Sequence, residues 1–149
     1  MLDFYGAAGK DYGVNVSFAS MKPGVFGSTD MGKNGSINIK FDLNQINSIG
    51  SNSSLGRVSA FGERAAIAIH EATHGVDERN WGHNPLTDKQ EDWTEHNAYR
   101  NQSYTYQGLD WPTSQGLWYR GMTGDQRSAA IDAGAKGSDA AACGGNPCN

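Results

Sequence analysis

One stretch decides how the chain is organised, and it is residues 59–76, SAFGERAAIAIHEATHGV. It contains an H-E-x-x-H pattern at residues 70–74. Residues four apart on a helix lie on the same face, so His70 and His74 can direct both imidazoles toward one metal ion. Glu71 follows the first histidine, where its carboxylate can reach a water molecule beside the metal without binding the metal. The pattern therefore predicts a zinc site with Glu71 as the general base.

The sequence around this pattern favours a helix. Residues 65–69 are apolar or good helix formers, and no proline follows until Pro85. We expect Ser59 to cap the helix and Gly75 to end it. A buried helix with two purely structural histidines is the alternative, but the i, i+4 spacing with a glutamate after the first histidine favours a metal site.

Length and composition limit the class of protein. With 149 residues and a net charge of −4, we expect one domain that does not bind nucleic acid. No apolar stretch is long enough to span a membrane. Glycine is abundant, at 20 residues, and only 19% of residues are charged, which indicates a loop-rich domain. From about residue 137 to 149 we expect a flexible Gly-rich tail, in which Cys143 and Cys148 either form a disulfide or stay reduced.

Two segments ahead of the metal helix alternate apolar and polar residues, as strands do. They are residues 14–18 and, more regularly, residues 36–42. Residues 20–35 contain several glycines and predict a loop or a loose hairpin, and the Asn/Ser/Gly-rich residues 44–58 predict a linker loop. The chain therefore predicts a small sheet followed by helices, which is an α+β domain.

A second long helix is predicted after the metal helix. Thr87 and Gln90 form a capping-box pattern at its start, and Gly108 follows its last predicted residue. A catalytic zinc site with two histidines needs a further protein ligand. The residues of this helix that can supply it are Glu95, Glu91, Asp92 and His96. A last short helix is predicted to open at Thr123 and to end near Gly134.

The segment AIHEATHG, residues 68–75, resembles the active-site helix of the zincin metallopeptidases. The segment EHNAY, residues 95–99, resembles the Glu-x-x-Ala pattern of their gluzincin branch, in which a glutamate on a second helix is the third ligand. The resemblance implies a single zincin-like domain that holds Zn²⁺ through His70, His74 and Glu95. It also implies a zinc-dependent endopeptidase that hydrolyses a protein or peptide substrate.

Zincins bind an extended peptide at an edge strand, so the resemblance also makes residues 36–42 a candidate for that strand; a plain core strand is the alternative. The metzincin branch is excluded, because it would need a glycine at Asp77 and a histidine at Asn80. We interpret Asp77 as the acceptor of a hydrogen bond from a ligand histidine. A phenol or imidazole near the metal can stabilise the developing oxyanion. The residues eligible for this role are His83, Tyr99, Tyr104, Tyr106 and Tyr119.

The wider stretch Glu-x-x-Ala-Tyr-x-x-Gln, at residues 95–102, resembles the metallopeptidase toxin domains of bacterial polymorphic toxins, including Rhs-type and type VI secretion effectors. This resemblance implies that the domain is exported or delivered into a target cell as part of a longer chain, since this sequence shows no signal peptide of its own. It also implies an immunity protein as a partner. Two other functions stay open, namely a metal-binding interaction module without turnover and a zinc hydrolase of a non-protein amide such as one in the cell wall.

Overall fold

The computed structural model describes residues 2–6, 11–51, 56–108 and 122–142. The elements follow in the order α1 (Leu2–Tyr5), β1 (Val14–Phe18), β2 (Gly27–Met31), β3 (Ile37–Phe41), α2 (Leu43–Ser51), α3 (Gly56–Trp81), α4 (Asp88–Gly108) and α5 (Gly124–Ala142). A small mixed sheet stands beside longer helices, so the predicted α+β class is confirmed. None of the described helices is both long and apolar enough to cross a bilayer, in agreement with the expected absence of a membrane span.

The sheet places β3 in the centre, in the order β1-β3-β2. β3 runs parallel to β1 and antiparallel to β2. Its apolar residues Ile37, Ile39 and Phe41 are buried, which confirms the strand predicted from their alternation. Of the two alternatives for this strand, the structure shows the core strand and not the cleft edge, because β3 is hydrogen-bonded on both sides. The edge strand that borders the cleft is β2, which forms a hairpin with β3 and lies in the region predicted as a loop or loose hairpin.

The core forms where one face of the sheet packs against α3. Its buried members are Phe4, Ile37, Ile39, Phe41, Ile46, Ile67 and Ala72. Gly75 lies inside α3 at this contact, where a Cβ atom would be only 2.5 Å from Phe4 Cζ and 2.9 Å from Ile37 Cγ2. The predicted helix end at Gly75 is therefore wrong, because this glycine permits close packing rather than a turn.

The bounds of α3 differ from the prediction at both ends. The helix begins at Gly56, so Ser59 lies within it and does not cap it. It ends at Trp81, where Gly82 takes a left-handed conformation with φ of 75° and donates its N–H to the Glu78 carbonyl at 2.8 Å. The helix therefore continues for almost two turns past the metal-binding pattern, which carries Glu78 onto the same face as the histidines.

The predicted linker loop at residues 44–58 is wrong over residues 44–51, which belong to α2. Asp42 caps this helix, because its Oδ1 accepts the N–H groups of Asn44 and Gln45 at 3.0 and 3.1 Å. Ile46 is 3% exposed and packs into the core. The Asn/Ser/Gly-rich composition hid this apolar anchor, which a search for helical spacing detects.

The prediction of α4 is confirmed to within one residue at its end, and Thr87 Oγ1 accepts the Gln90 N–H at 3.3 Å. The predicted end of the last helix near Gly134 is wrong, because α5 continues to Ala142. Gly134 lies in its interior, where a Cβ atom would be 2.9 Å from the Tyr99 ring. The first part of the predicted tail is thus helical, and the remainder, with Cys143 and Cys148, lies outside the described residues.

Candidate metal centre

Two packed helices bring three metal-ligating side chains together. His70 and His74 lie one turn apart on α3, and Glu95 faces them from α4. His70 Nε2 is 3.5 Å from Glu95 Oε2, and His74 Nε2 is 3.6 Å from Glu95 Oε1. Bonds of about 2.1 Å at tetrahedral angles would set zinc ligands about 3.4 Å apart. The two distances match that spacing and exceed the usual length of a direct hydrogen bond.

Among the described residues, only these three form a His/Cys/Asp/Glu group compact enough to hold a metal, with ligand atoms within 4.8 Å of one another. Glu91, one turn earlier on α4, lines the same cleft but is not part of the group. His96 turns toward α5, with Nε2 2.9 Å from Asp132 Oδ1 and Nδ1 2.8 Å from the Asp92 carbonyl. The arrangement therefore favours Glu95 over Glu91, Asp92 and His96 as the third ligand.

A chain of hydrogen bonds fixes the ring of His70. Its Nδ1 is 3.0 Å from Gln102 Oε1, and the Gln102 amide nitrogen donates to the Tyr106 hydroxyl at 3.2 Å. Tyr106 in turn donates to Glu63 Oε2 at 2.6 Å. Because the Gln102 oxygen only accepts, His70 carries its hydrogen on Nδ1. Its Nε2 lone pair is then directed toward Glu95, as a metal ligand requires.

A shorter series of hydrogen bonds fixes the ring of His74. Its Nδ1 is 3.0 Å from Thr94 Oγ1, and Thr94 donates its hydroxyl hydrogen to Asp77 Oδ2 at 2.8 Å. A hydroxyl has one hydrogen to donate, so Thr94 accepts from the His74 Nδ1–H. We predicted that Asp77 would accept directly from a ligand histidine; the structure interposes Thr94 between them, and Asp77 acts one hydrogen bond farther away.

The pKa values of the two imidazoles shift in opposite directions. Burial, reinforced by the charge of His70 and opposed by that of Glu95, lowers the pKa of His74 to about 4. Burial also acts to lower the pKa of His70, but the neighbouring carboxylates of Glu95 and Glu71 outweigh it, and the net change is upward. His74 is therefore neutral and ready to bind a cation at neutral pH, and protons compete with a metal ion more strongly at His70 than at His74.

The side chain of Glu71 is held against the edge strand β2 rather than against another helix. It is 5% exposed, and its Oε2 accepts the Thr29 hydroxyl at 2.8 Å. Burial raises the pKa of Glu71 to about 7, although the charge of His70 and the bond from Thr29 act in the opposite direction. A carboxylate with a pKa near neutrality suits a general base, and a bound dication nearby would lower that pKa. Gly27 leaves room for it, since a Cβ atom there would lie 2.6 Å from Glu71 Cδ.

These groups line a cleft of about 890 Å³ between β2 and the helices α3, α4 and α5. Phe26 and Gly32, the residues that flank β2, form backbone hydrogen bonds to the β3 side of the hairpin. The direction of these bonds alternates along an antiparallel strand, so the backbone groups of the odd-numbered residues of β2 face the free edge. At Met31 the side-chain amide of Asn84 satisfies both the N–H and the C=O. Within the described part of the chain, the N–H and C=O groups of Gly27 and Thr29 that face this edge form no hydrogen bond to another backbone group. They form an open row beside Glu71.

The residues proposed for oxyanion stabilisation are separated by the structure. Tyr99 lines the cleft and packs edge-on against the His70 ring, with centroids 4.7 Å apart. His83 stacks on Trp81 and does not line the cleft. Tyr104 is 56% exposed elsewhere on α4, and Tyr106 is bonded to Glu63. Tyr119 lies outside the described residues.

Sequence reasoning missed several groups that contact the site. Thr29 is far from the pattern in sequence, and nothing local marks it. Glu63 lies seven residues before His70 on α3, and this spacing could have placed it on the same helix face. Gln102 lies seven residues after Glu95 on the same face of α4, and this spacing could have identified it as a partner of His70. Thr94 precedes Glu95 directly, and its role depends on how α4 packs against α3.

Comparisons of the chain with protein-family models, curated proteins and solved structures find no match.

Proposed function

We propose that the protein is a zinc-dependent endopeptidase. One observation carries the proposal: the His70, His74 and Glu95 group shares a cleft with the buried carboxylate of Glu71 and with an unpaired strand edge. Two imidazole nitrogens and one carboxylate are a ligand set used by catalytic zinc, which keeps its fourth position open. The match between the distances in this group and tetrahedral zinc coordination supports the choice of metal.

The chemistry follows from the positions of these groups. Zn²⁺ held by the three ligands would supply Lewis acidity, which lowers the pKa of water and polarises a carbonyl. Glu71 takes a proton from water as the water oxygen attacks the carbonyl carbon of the substrate. Glu71 then delivers that proton to the amide nitrogen as the C–N bond breaks, which leaves a carboxylate and an amine. Thr29 holds Glu71 in place, and Tyr99, whose ring packs against that of His70, is our candidate for stabilising the developing oxyanion.

The strand edge supports a peptide as the substrate. An extended peptide can pair with the free N–H and C=O groups of Gly27 and Thr29, as a strand added to the sheet. Asn84 already makes the equivalent bonds to Met31, which illustrates the pairing and limits its length. A scan of N-methylated peptides tests this mode, because methylation at alternate positions should abolish cleavage while the intervening positions tolerate it.

Zinc content and proteolysis, measured together, test the proposal. We expect about one equivalent of zinc in the purified protein and cleavage of an unfolded substrate such as casein. Glu71→Gln should retain zinc and lose cleavage by a factor of about 10² to 10⁴, the usual contribution of a general base.

The other outcomes separate the alternatives. Bound zinc without cleavage of any protein or peptide would contradict the proposal and favour a metal-binding module. Cleavage of a cell-wall amide but not of peptides would favour the non-protein hydrolase. A protein that binds no zinc would remove the proposed chemistry altogether.

We also propose that the domain acts as a toxin that is delivered as part of a longer chain and neutralised by an immunity protein. The resemblance in the Glu95–Gln102 stretch is its support. Expression of the domain inside bacterial cells should stop growth, and Glu71→Gln should abolish the effect. Equal growth of cells that express the active and the Glu71→Gln protein would contradict the toxin role and leave the peptidase proposal intact.

A further inference from the structure

Glu78 is a buried carboxylate in the cleft that the proposed reaction does not use. It lies one turn after His74 on α3 and lines the cleft together with Asp30 and Asn84. Its residue is only 3% exposed, and within the described part of the chain its Oε2 has no hydrogen-bond partner. Buried carboxylate oxygens without a partner are rare, because losing the contact with water is unfavourable unless a partner replaces it. The side chain therefore needs an explanation.

No cation of the described residues compensates Glu78. Arg79 follows it in sequence but donates to the Tyr12 carbonyl at 2.6 Å and lies over the Phe4 ring. Lys40 is 4.0 Å from Asp30, and both side chains are half exposed. Lys22 is the one lysine or arginine among the described residues that line the cleft. It belongs to the loop that leads into β2, as do the lining residues next to it in sequence. Glu78 is therefore available to a positive charge that comes from outside.

The surroundings of Glu78 are negative. Burial raises its pKa to about 7, and the charges of Asp30, Glu71 and Asp77 add to this effect. Folding has already removed the Glu78 carboxylate from water. A cation that enters this part of the cleft therefore gains its attraction to the carboxylate without a second large desolvation cost for the acid. A second metal ion is a poor occupant, because no group of three ligating residues other than His70, His74 and Glu95 is compact enough in the described chain. A single organic cation fits better.

We propose that Glu78 forms a subsite of the cleft that accepts a cationic group of the peptide substrate, next to the bond that is cut. The inference rests on the proposed peptidase function. Four residues of helix place Glu78 about 6 Å beyond His74, which corresponds to about two residues of extended peptide. The cation is an ammonium or guanidinium group, carried by a lysine or arginine side chain within two residues of the cleaved bond.

Synthetic peptides built around a bond that the protein cuts in casein provide the test. At each of two positions on either side of the bond, arginine is compared with citrulline, its neutral counterpart of nearly the same shape. Wild-type protein should cleave the arginine peptide with kcat/KM on the order of tenfold higher at one position, the effect of one charge-assisted hydrogen bond. Acetylation of the N-terminus should leave this preference unchanged, and its loss on acetylation would overturn a side-chain subsite.

Variants then assign the preference to Glu78. Glu78→Gln has nearly the same shape and should reduce the arginine-to-citrulline ratio toward one. Asp88→Asn removes one negative charge from the exposed first turn of α4, outside the cleft, and serves as the control for net charge. It should keep the ratio of the wild-type protein. Zinc content of Glu78→Gln must match wild type, which shows that the variant folds and keeps the ligand group.

The results separate this inference from the function beneath it. Casein cleavage with no preference for a cation, or with a preference that persists in Glu78→Gln, would overturn the subsite and leave the endopeptidase proposal standing. Failure of wild-type protein to cleave any peptide while zinc is bound would overturn both. The comparison of arginine with citrulline needs only the wild-type protein, so a missing preference overturns the subsite even where a variant fails to fold.

Discussion

The two walls of the cleft are built in different ways. The helical wall, formed by His70, His74 and Glu95, presents side chains whose orientations are fixed by further side chains behind them. The strand wall, formed by β2, presents backbone groups at Gly27 and Thr29 and one hydroxyl that holds Glu71. A metal needs a few atoms at fixed positions, whereas a peptide of varied sequence is recognised through its backbone. Under the proposed function, this difference would separate binding of the metal from binding of the substrate.

The largest expected effect follows from removing a ligand of the helical wall. Glu95→Ala takes away one of the three proposed protein ligands. Bound zinc should fall far below one equivalent after dialysis, and casein cleavage should be lost with it. Atomic absorption measures the first and a gel assay the second.

Glu91→Ala is the matched control for Glu95→Ala. Glu91 is a cleft-lining glutamate one turn away on the same helix and is not part of the ligand group. It should retain zinc. Full zinc in Glu95→Ala and loss in Glu91→Ala would transfer the third ligand to the earlier residue.

A smaller effect is expected behind the ligands. Thr94→Val removes the hydroxyl between His74 and Asp77, and Gln102→Leu removes the acceptor of the His70 Nδ1–H. Each change should weaken zinc binding by a factor of about 10 to 100, because the ring loses its fixed orientation. Competition with a fluorescent chelator measures the affinity.

Thr105→Val controls for the loss of a threonine hydroxyl from α4. Thr105 donates to the Asn101 carbonyl of its own helix and does not line the cleft. Its zinc affinity should equal that of wild type. Equal affinity in Thr94→Val as well would show that Thr94 does not orient His74.

A substitution in the strand wall should reduce turnover without reducing the zinc content of the protein. A Cβ atom in Gly27→Ala would displace the carboxylate of Glu71, and a displacement of about 1 Å can reduce turnover by a factor of about 10². Zinc content should stay at the wild-type value, and kcat with a peptide substrate should fall. Gly137→Ala is the control, because Gly137 also lines the cleft but has open space where its Cβ would be. Loss of zinc in Gly27→Ala would mean that the two walls are not independent.

The smallest effect concerns the loop that leads into the strand wall. Asp42 accepts hydrogen bonds from the Met21 N–H and from the Gln45 side chain. The bond from the Gln45 side chain is the largest cause of its low pKa, the backbone bonds add to it, and the pKa is lowered to about 2. In the unfolded chain the pKa of an aspartate is about 3.9. The ionised Asp42 therefore stabilises the fold fully above about pH 4, and this contribution is lost as the pH falls through about 2.

Asp42→Asn tests this pH dependence, because asparagine does not titrate. At pH 7 the variant should unfold at a lower urea concentration than wild type. The difference between the two urea midpoints should narrow as the pH falls from 5 toward 3, and circular dichroism follows both transitions. A difference that stays constant over this range would show that ionisation of Asp42 does not contribute to stability.

Local patterns predicted the elements that obey one simple periodicity. The alternation in β3 and the capping residues of α4 are examples, and both elements lie where the sequence placed them. The prediction failed where composition masked the periodicity, as in the Ser/Asn/Gly-rich α2 and the glycine-containing β2. It also failed at Gly75, since a glycine can end a helix or allow close packing, and only the positions of Phe4 and Ile37 distinguish the two.

The sequence by itself determined the chemistry that four-residue spacing can encode. His70 and His74 share a face on any α-helix, and Glu71 adjoins the first of them, so these three positions need no knowledge of the fold. The tertiary structure decided which carboxylate of α4 meets the imidazoles, which strand borders the cleft, and that Thr29 and Glu78 lie in it. Contacts between residues far apart in the chain depend on how helices and strands pack, and packing reflects the shape of the whole core rather than any local spacing.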